Sequence, residues 1–124
     1  MPETPRRPLS GRRAAITGGG RGIGRATALR LAELGADIAV IARTQPQLDA
    51  VAGEVEGRGV RGLAVAADLT TYSACREAIH TVQRALGGIE ILVNNAGWTL
   101  TSPFLEETDA YWHRVVDSNL WSTI

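Results

Sequence analysis

The 124-residue chain has the composition of a single globular domain, since 44% of its residues are apolar and 21% are charged. Its thirteen basic residues, all arginines, balance thirteen acidic ones, so no net charge favours nucleic acid or an anionic membrane as a partner. No apolar run approaches the roughly 20 residues that a membrane span requires, and residues 1–9 lack the apolar core of a signal peptide. We therefore expect a cytoplasmic protein with no nucleic-acid or membrane partner.

The chain is predicted to divide into a short tail and one α/β domain. Three prolines and two arginines within residues 1–9 predict a flexible tail over residues 1–11. Residues 12–124 alternate between short apolar runs and longer periodic segments, which is typical of βαβ units in a doubly wound parallel sheet. The lone Cys75 has no partner for an internal disulfide, and its place in an apolar helical stripe predicts a buried, inert thiol.

Two strand and helix pairs are predicted in the first half of the chain. The first strand, RRAAITG, leads into a glycine turn and a helix that begins at Gly22 and ends at LGA. The second strand, DIAVIA, is apolar almost throughout, as expected for a parallel strand covered on both faces. Thr44 and Gln47 have the spacing of a capping box and predict the start of the second helix. The residues predicted on the sheet-facing sides of the two helices are Gly24, Ala28, Leu31, Gly35, Leu48, Val51 and Val55.

The second half continues the alternation up to an unfinished helix. GLAVAAD and IEILVNN are the predicted third and fourth strands. The helix between them is predicted to face inward with Cys75, Ala78, Ile79, Val82 and Leu86. A fourth helix begins at Thr108, and the closing NLWSTI contains no glycine or proline to end it. We expect about half of a doubly wound sheet, truncated in the fourth helix, with the fourth strand exposed at an edge and marginal stability.

The segment TGGGRGIG, residues 17–24, places five glycines between a buried strand and a helix. A helix N-terminus presents unpaired backbone N–H groups and a partial positive charge, so a tight glycine turn before it predicts a phosphate-binding site. The spacing of Gly18, Gly22 and Gly24 differs from the G-x-G-x-x-G fingerprint, and the Gly-Lys pair of a P-loop is absent. The alternative is a flexible loop with no ligand, which the flanking strand and helix disfavour.

TGGGRGIG resembles the T-G-x-x-x-G-x-G cofactor turn of the short-chain dehydrogenases/reductases, and NNAG, residues 94–97, is similar to the motif after their fourth strand. The resemblance covers residues 12–124, with every element in order. It implies a Rossmann-type fold and an oxidoreductase that transfers hydride between NAD(P)(H) and a carbonyl or alcohol substrate. The turn residues that it assigns to cofactor binding are Gly18, Gly20, Arg21, Gly22, Ile23 and Gly24.

Two arginines favour NADP over NAD as the cofactor. An NAD enzyme usually has an acidic residue about 20 positions beyond the glycines, which binds the ribose 2′-OH. Here Ala42 takes that position and Arg43 follows it, and a guanidinium can bind the 2′-phosphate of NADP through two charge-assisted hydrogen bonds. Arg21 supplies a second cation, and the pair resembles that of NADP-preferring members of the family. The alternative for Arg43 is a solvated arginine at a strand end, with NAD as the less favoured cofactor.

The resemblance assigns further cofactor contacts to residues after the third and fourth strands. Asp68 would contact the adenine amino group, with the backbone amide of Leu69 beside it. Asn94, Ala96 and Gly97 would line the adenosine and nicotinamide side, and Asn94 would also tie neighbouring strands together. From the residues alone, Asp68 can also be a turn aspartate that caps the next helix, and Asn94 part of a plain turn.

Most catalytic groups of the resembled family are absent from the sequence. The family uses serine, tyrosine and lysine residues that follow a fifth strand, whereas this chain contains no lysine and stops before such a strand. Asn119 matches the family's catalytic asparagine in the fourth helix, and the alternative is a helical asparagine with no role. Tyr72 lies in the wrong helix to replace the catalytic tyrosine, so we expect it to pack partly into the core. No metal site is predicted.

We therefore predict the N-terminal, cofactor-binding part of an NADP-dependent short-chain oxidoreductase. The resemblance implies that this chain alone is inactive and that the complete protein is a homo-oligomer. The predicted range of substrates includes a 3-oxoacyl thioester, a steroid, a sugar and a polyketide. Two rival hypotheses stay open: a short non-catalytic protein that binds a nucleotide or a partner, and a nucleotide-utilising enzyme such as a methyltransferase.

Overall fold

A computed structural model of the protein describes residues 7–97 and 108–117, where four strands and four helices alternate along the chain. The strands are β1 (Arg13–Thr17), β2 (Asp37–Ala42), β3 (Gly62–Ala66) and β4 (Ile91–Val93). The helices are α1 (Gly22–Glu33), α2 (Gln45–Glu56), α3 (Tyr72–Leu86) and α4 (Asp109–Val116). None of the helices in this described part is long and apolar enough to cross a membrane.

All four strands run parallel in one sheet with the order β3-β2-β1-β4. Ala15 of β1 pairs with Ala39 of β2 on one side and with Leu92 of β4 on the other. The strand order therefore reverses at β1, which is the feature that defines a doubly wound sheet. The predicted Rossmann-type arrangement is confirmed.

The helices cover both faces of the sheet because parallel crossovers are right-handed. The sheet grows from β1 to β3 in one direction, which puts α1 and α2 on one face, and the return to β4 puts α3 on the other. Alternate strand residues consequently belong to two separate apolar clusters. Ile16 and Val40 pack with α1 and α2, whereas Ala15 and Ile41 pack with α3.

The buried helix faces follow the predicted stripes, but four residues predicted to face the core are exposed or only partly buried. In α1, Ala28 and Ala32 are fully buried, whereas Leu31 is only partly buried, as is Ile79 of α3. Cys75 is also only partly buried, which corrects the buried thiol predicted from its stripe, because it lies in the first turn of α3 near the rim of the sheet. Tyr72 is 81% exposed, so the predicted core packing is wrong. It is the first residue of α3 and stands beyond the end of β3.

The two predicted helix starts differ in their capping. Thr108 occupies the N-cap of α4, and its hydroxyl accepts a hydrogen bond from the Tyr111 backbone N–H at 3.2 Å. Thr44 occupies the N-cap of α2, but its side chain makes no capping bond. The predicted capping box with Gln47 is therefore not formed, because the Gln47 side chain packs instead against the glycine turn at Gly20.

Residues 7–11, which we predicted as part of a loose tail, are hydrogen-bonded to the body of the fold. The Arg7 guanidinium donates to the carbonyl oxygen of Arg58 at 2.8 Å, and the Leu9 backbone N–H donates to the carbonyl oxygen of Leu34 at 2.8 Å. Leu9 also packs against the α1 and α2 side of the core. This segment therefore continues the fold before β1 begins.

Two arginines bind carboxylates at the amino edge of the sheet. Arg61 donates from its backbone N–H to Asp37 Oδ1 at 2.8 Å and from Nη2 to Asp37 Oδ2 at 2.9 Å. Arg13 donates from its backbone N–H to Glu90 Oε2 at 2.9 Å and from Nε to Oε1 at 3.0 Å, and its Nη2 completes an ion pair. The contacts from Arg13, with its side-chain hydrogen bonds the largest cause, lower the pKa of Glu90 to about 2.

Candidate functional site

The segments that follow all four strands meet in one cleft of about 490 Å³ at the carboxyl edge of the sheet. Such a cleft is expected where the strand order of a doubly wound sheet reverses. The predicted cofactor-binding residues that line it are Gly18, Gly20, Arg21, Gly22, Ile23, Arg43, Asp68, Leu69, Ala96 and Gly97. The other lining residues are Ala42, Thr44, Gln47, Ala67, Thr70 and Asn95. The structure thus brings together residues that are far apart in the sequence.

The glycine turn is a close backbone contact between β1, α1 and the segment after β4. Gly18 and Gly22 have φ values of +68° and +57°, a region that side chains other than glycine rarely adopt. A Cβ at Gly24 would lie 2.1 Å from the carbonyl oxygen of Gly18 and 2.6 Å from Asn95 Nδ2. Gly24 is therefore buried beneath the cleft, where it lets the turn lie directly on α1, and it does not line the cleft.

The N-terminus of α1 points into the cleft with its backbone donors uncapped. Arg21, at the N-cap, makes no side-chain capping bond, and the first turn contains no acidic residue. Ile23, in that first turn, lines the cleft and is 78% exposed. The unpaired N–H groups and the helix dipole favour an anion at this point.

Thr17 is a buried polar residue that joins the two loops on either side of the cleft. Its hydroxyl oxygen accepts hydrogen bonds from the backbone N–H groups of Asn95 and Ala96, both at 2.9 Å, and donates to the carbonyl oxygen of Val93 at 3.4 Å. Thr17 is not among the residues that we predicted for the site from the sequence. The feature of the sequence that could have indicated Thr17 is its position directly before the glycine turn. In the structure this position lies where β1 and β4 are neighbours.

Asn95, and not Asn94, ties the neighbouring strands together. Asn95 Nδ2 donates to the carbonyl oxygen of Gly18 at 3.2 Å, and Asn95 lines the cleft. Asn94 lines a separate groove on the α3 side of the sheet, together with Leu92 and Tyr72. The tie that we predicted for Asn94 is therefore corrected to its neighbour, because successive residues after a strand face opposite sides of the sheet.

The cleft contains two arginines whose guanidinium groups make no hydrogen bond or ion pair within the described residues, namely Arg21 and Arg43. By contrast, Arg13, Arg25 and Arg61 each pair with a carboxylate. Ion pairs of this kind fix a guanidinium and reduce its attraction for a ligand. Neither cleft arginine is held by such a pair, so both guanidinium groups can donate hydrogen bonds to an anion.

The carboxylate of Asp68 is held by the turn that precedes α3. Its Oδ1 accepts from the backbone N–H of Thr70 at 3.0 Å and from the Thr70 hydroxyl at 2.6 Å. These two bonds, the hydroxyl first, and the positive charge of Arg43 lower the pKa of Asp68. The N-cap of α3 is Thr71, so Asp68 orders the preceding turn and does not cap the helix itself.

Catalytic chemistry is not represented in the described residues. Asn119, which we matched to a catalytic asparagine, lies outside residues 7–97 and 108–117. Within those ranges no group of three or more His, Cys, Asp or Glu side chains could hold a metal ion. What the described residues offer is a binding site with glycine backbone, helix N-terminal donors, two free cations and one ionised carboxylate.

Comparison with known proteins gives one family. A family model described as short chain dehydrogenase matches residues 12–124. L-xylulose reductase from Mesocricetus auratus is 39% identical over 94% of this chain and 44% of its own length. The 3-oxoacyl-(acyl-carrier-protein) reductase FabG from Staphylococcus epidermidis is 37% identical over 86% of this chain and 44% of its own length.

A solved structure has the same fold over nearly the whole chain. L-sorbose reductase from Gluconobacter frateurii, in a crystal structure with NADPH and L-sorbose, matches with a TM-score of 0.87 and 34% identity. The match covers 95% of this chain and 45% of that protein. The chain therefore spans less than half the length of these three relatives.

Proposed function

Because the chain belongs to the short-chain dehydrogenase family, we propose that the full-length protein is an oxidoreductase that transfers hydride between NADP(H) and a carbonyl or alcohol substrate. The described cleft is its cofactor site. The catalytic serine, tyrosine and lysine belong, in this proposal, to the part of the protein that these 124 residues do not include. The chain alone would then bind the cofactor without turnover.

The choice of NADP depends on the charge at the end of β2. Ala42 offers no carboxylate to a ribose 2′-OH, whereas Arg43 and Arg21 line the same cleft with free guanidinium groups. A 2′-phosphate would bring two negative charges to these cations, and the binding would be charge-assisted. The L-sorbose reductase structure contains NADPH, which supports the same choice by similarity.

The other cleft residues fit the rest of a dinucleotide. The uncapped N-terminus of α1 would bind the pyrophosphate, and a Cβ at Gly24 would displace the turn from that helix. Asp68 would accept a hydrogen bond from the adenine amino group, and Asn95 would hold the loop that borders the nicotinamide side. The nicotinamide, when bound, supplies the hydride. The role of Asn119 stays a prediction: its side chain would support a water molecule in proton transfer. Asn119→Ala should therefore lower kcat without changing the cofactor Kd.

Cofactor titration of the full-length protein tests the choice of NADP. We expect wild type to bind NADPH more tightly than NADH, and Arg43→Ala to weaken NADPH about tenfold while NADH binding changes less than about twofold. Arg84→Ala is the matched control. Arg84 is exposed in the last turn of α3, so this substitution removes the same charge outside the cleft. Equal losses for both cofactors, or a wild type that prefers NADH, would contradict the proposal.

A substrate panel tests the reaction. The two sugar reductases and the 3-oxoacyl reductase among the relatives make ketoses and 3-oxoacyl thioesters the first compounds to assay, in both directions of hydride transfer. Consumption of NADPH with any of these carbonyl compounds supports the oxidoreductase. Tight NADPH binding with no turnover on any carbonyl or alcohol would favour the non-catalytic nucleotide-binding alternative.

Two further properties belong to the proposal. We expect the full-length protein to form homo-oligomers, which its mass in solution by light scattering will test. We also expect it in the cytoplasm, where fractionation of its native cells should recover it. A monomer, or recovery in the membrane or secreted fractions, would contradict these two expectations without affecting the cofactor site.

A further inference from the structure

Thr70 lies in the wall of the cleft, two residues after Asp68, in the turn that connects β3 to α3. It makes two hydrogen bonds to the Asp68 carboxylate, one from its backbone N–H at 3.0 Å and one from its hydroxyl at 2.6 Å. The hydroxyl bond is an additional contact that depends on the identity of the side chain at position 70.

Both donors of Thr70 reach the same oxygen of Asp68, which is Oδ1. Within residues 7–97 and 108–117, no donor hydrogen-bonds Oδ2. The carboxylate is thus fixed through one oxygen and keeps the lone pairs of the other for a ligand in the cleft. An exposed aspartate would otherwise lose rotamer freedom when a ligand binds, so this prior fixation lowers the cost of binding.

The remainder of the turn is also held in place. The Thr71 hydroxyl donates to the carbonyl oxygen of Asp68 at 3.2 Å, and the Cys75 thiol donates to the carbonyl oxygen of Leu69 at 3.2 Å. These contacts fix the backbone that follows the Asp68 side chain, and the Ala67 backbone N–H, which donates to the carbonyl oxygen of Ala42 at 2.8 Å, fixes the backbone before it. The orientation of the carboxylate itself is left to Thr70.

We propose that Thr70 is a positioning residue that presents Asp68 Oδ2 to the amino group of a 6-aminopurine, so that the site selects adenine over a 6-oxopurine. This inference rests on the proposed dinucleotide function. An amino group donates to a carboxylate, whereas the oxygen of a 6-oxopurine would meet the same negative charge without a proton between them. The hydroxyl of Thr70 acts only through Asp68 and touches no reacting atom.

The test compares two cofactors that differ at the 6-position of the base and in the proton that the 6-oxo form carries on the neighbouring N1. NADPH and reduced nicotinamide hypoxanthine dinucleotide phosphate are titrated into the full-length protein, and the ratio of their Kd values measures adenine selection. We expect wild type to prefer NADPH, and Thr70→Val to reduce that preference about fivefold by weakening NADPH alone. Thr70→Ser keeps the hydroxyl and should keep the wild-type ratio.

A second pair of variants separates positioning from shape. Thr70→Ala should change the ratio of Kd values as much as Thr70→Val does, because both substitutions remove the hydroxyl. Only Thr70→Val preserves the volume of the side chain, so equal effects would show that the hydroxyl and not the shape matters. In an Asp68→Asn background, Thr70→Val should no longer change the ratio, because the carboxylate that it positions is absent. Thermal unfolding of each variant checks that the fold is retained.

The outcomes distinguish this inference from the proposed function. Equal weakening of both cofactors by Thr70→Val, or no change in either, would overturn the positioning role. A wild type that binds both cofactors equally would overturn adenine selection and leave dinucleotide binding intact. A wild type that binds neither cofactor would overturn the proposed function itself.

Discussion

The hydroxyl of Thr17, at the end of β1, accepts a hydrogen bond from the backbone N–H of Asn95, which follows β4, at 2.9 Å. The same oxygen accepts from the backbone N–H of Ala96, and the Asn95 side chain returns a bond to Gly18 at 3.2 Å. A single buried hydroxyl and a single amide therefore fix the two loops on either side of the cleft. The stability of the sheet and the shape of the binding site depend on the same few bonds.

Thr17→Val should destabilise the full-length protein by about 2 kcal/mol, because a methyl group replaces an acceptor and leaves two partly buried backbone N–H groups without their partner. Urea denaturation measures the loss. Thr17→Ser retains the acceptor, so its free energy of unfolding should fall clearly less than that of Thr17→Val. If Thr17→Val and Thr17→Ser unfold at the same urea concentration, the hydroxyl does not contribute as argued.

Gly24→Ala should be strongly destabilising, by several kcal/mol, because its Cβ would lie 2.1 Å from the backbone oxygen of Gly18. Gly53→Ala is the matched control in α2, where a Cβ meets nothing within 4 Å and alanine favours the helix. We expect Gly53→Ala to stabilise by about 0.5–1 kcal/mol. The melting temperatures of the two variants should therefore shift in opposite directions from that of wild type. Shifts in the same direction would refute the steric argument.

The sequence predicted the strands, the helices and most of the cleft because these depend on local patterns. Apolar runs in alternation, a glycine turn and the ends of parallel strands can be identified without knowing which distant residues are in contact. The error over Asn94 and Asn95 arose because the face of a residue depends on the register at which β4 pairs with β1. Thr17 and Thr70 were missed for a related reason: a short hydroxyl acquires its role from partners that the fold brings to it.

Glu90 should make the stability of the protein depend on pH in the acid range. Its pKa falls from 4.5 to about 2 in the fold because Arg13 hydrogen-bonds to the carboxylate. The unfolded chain therefore binds the proton first as the pH falls, so the stabilisation is complete above about pH 4.5 and is lost as the pH falls through about 2. Unfolding free energies measured across this range should decline more steeply for wild type than for Glu90→Gln.

Glu56→Gln is the control for that experiment. Glu56 is an exposed carboxylate at the end of α2 that makes no ion pair or hydrogen bond within the described residues. Its replacement removes one acidic group without breaking a contact, so its pH profile should follow that of wild type. If Glu90→Gln also follows wild type, the pair with Arg13 does not couple protonation to folding.

Ala42→Asp should shift the cofactor preference toward NADH. The residue ends β2 and lines the cleft beside Arg43, so a carboxylate there would accept hydrogen bonds from a ribose 2′-OH and repel a 2′-phosphate. We expect NADPH binding to weaken about tenfold and NADH binding to strengthen, measured as two Kd values for the full-length protein. Ala42→Asn is nearly isosteric with the aspartate and uncharged, so it should weaken NADPH much less. Equal effects of the two variants would show that volume at the end of β2, and not charge, decides between the cofactors.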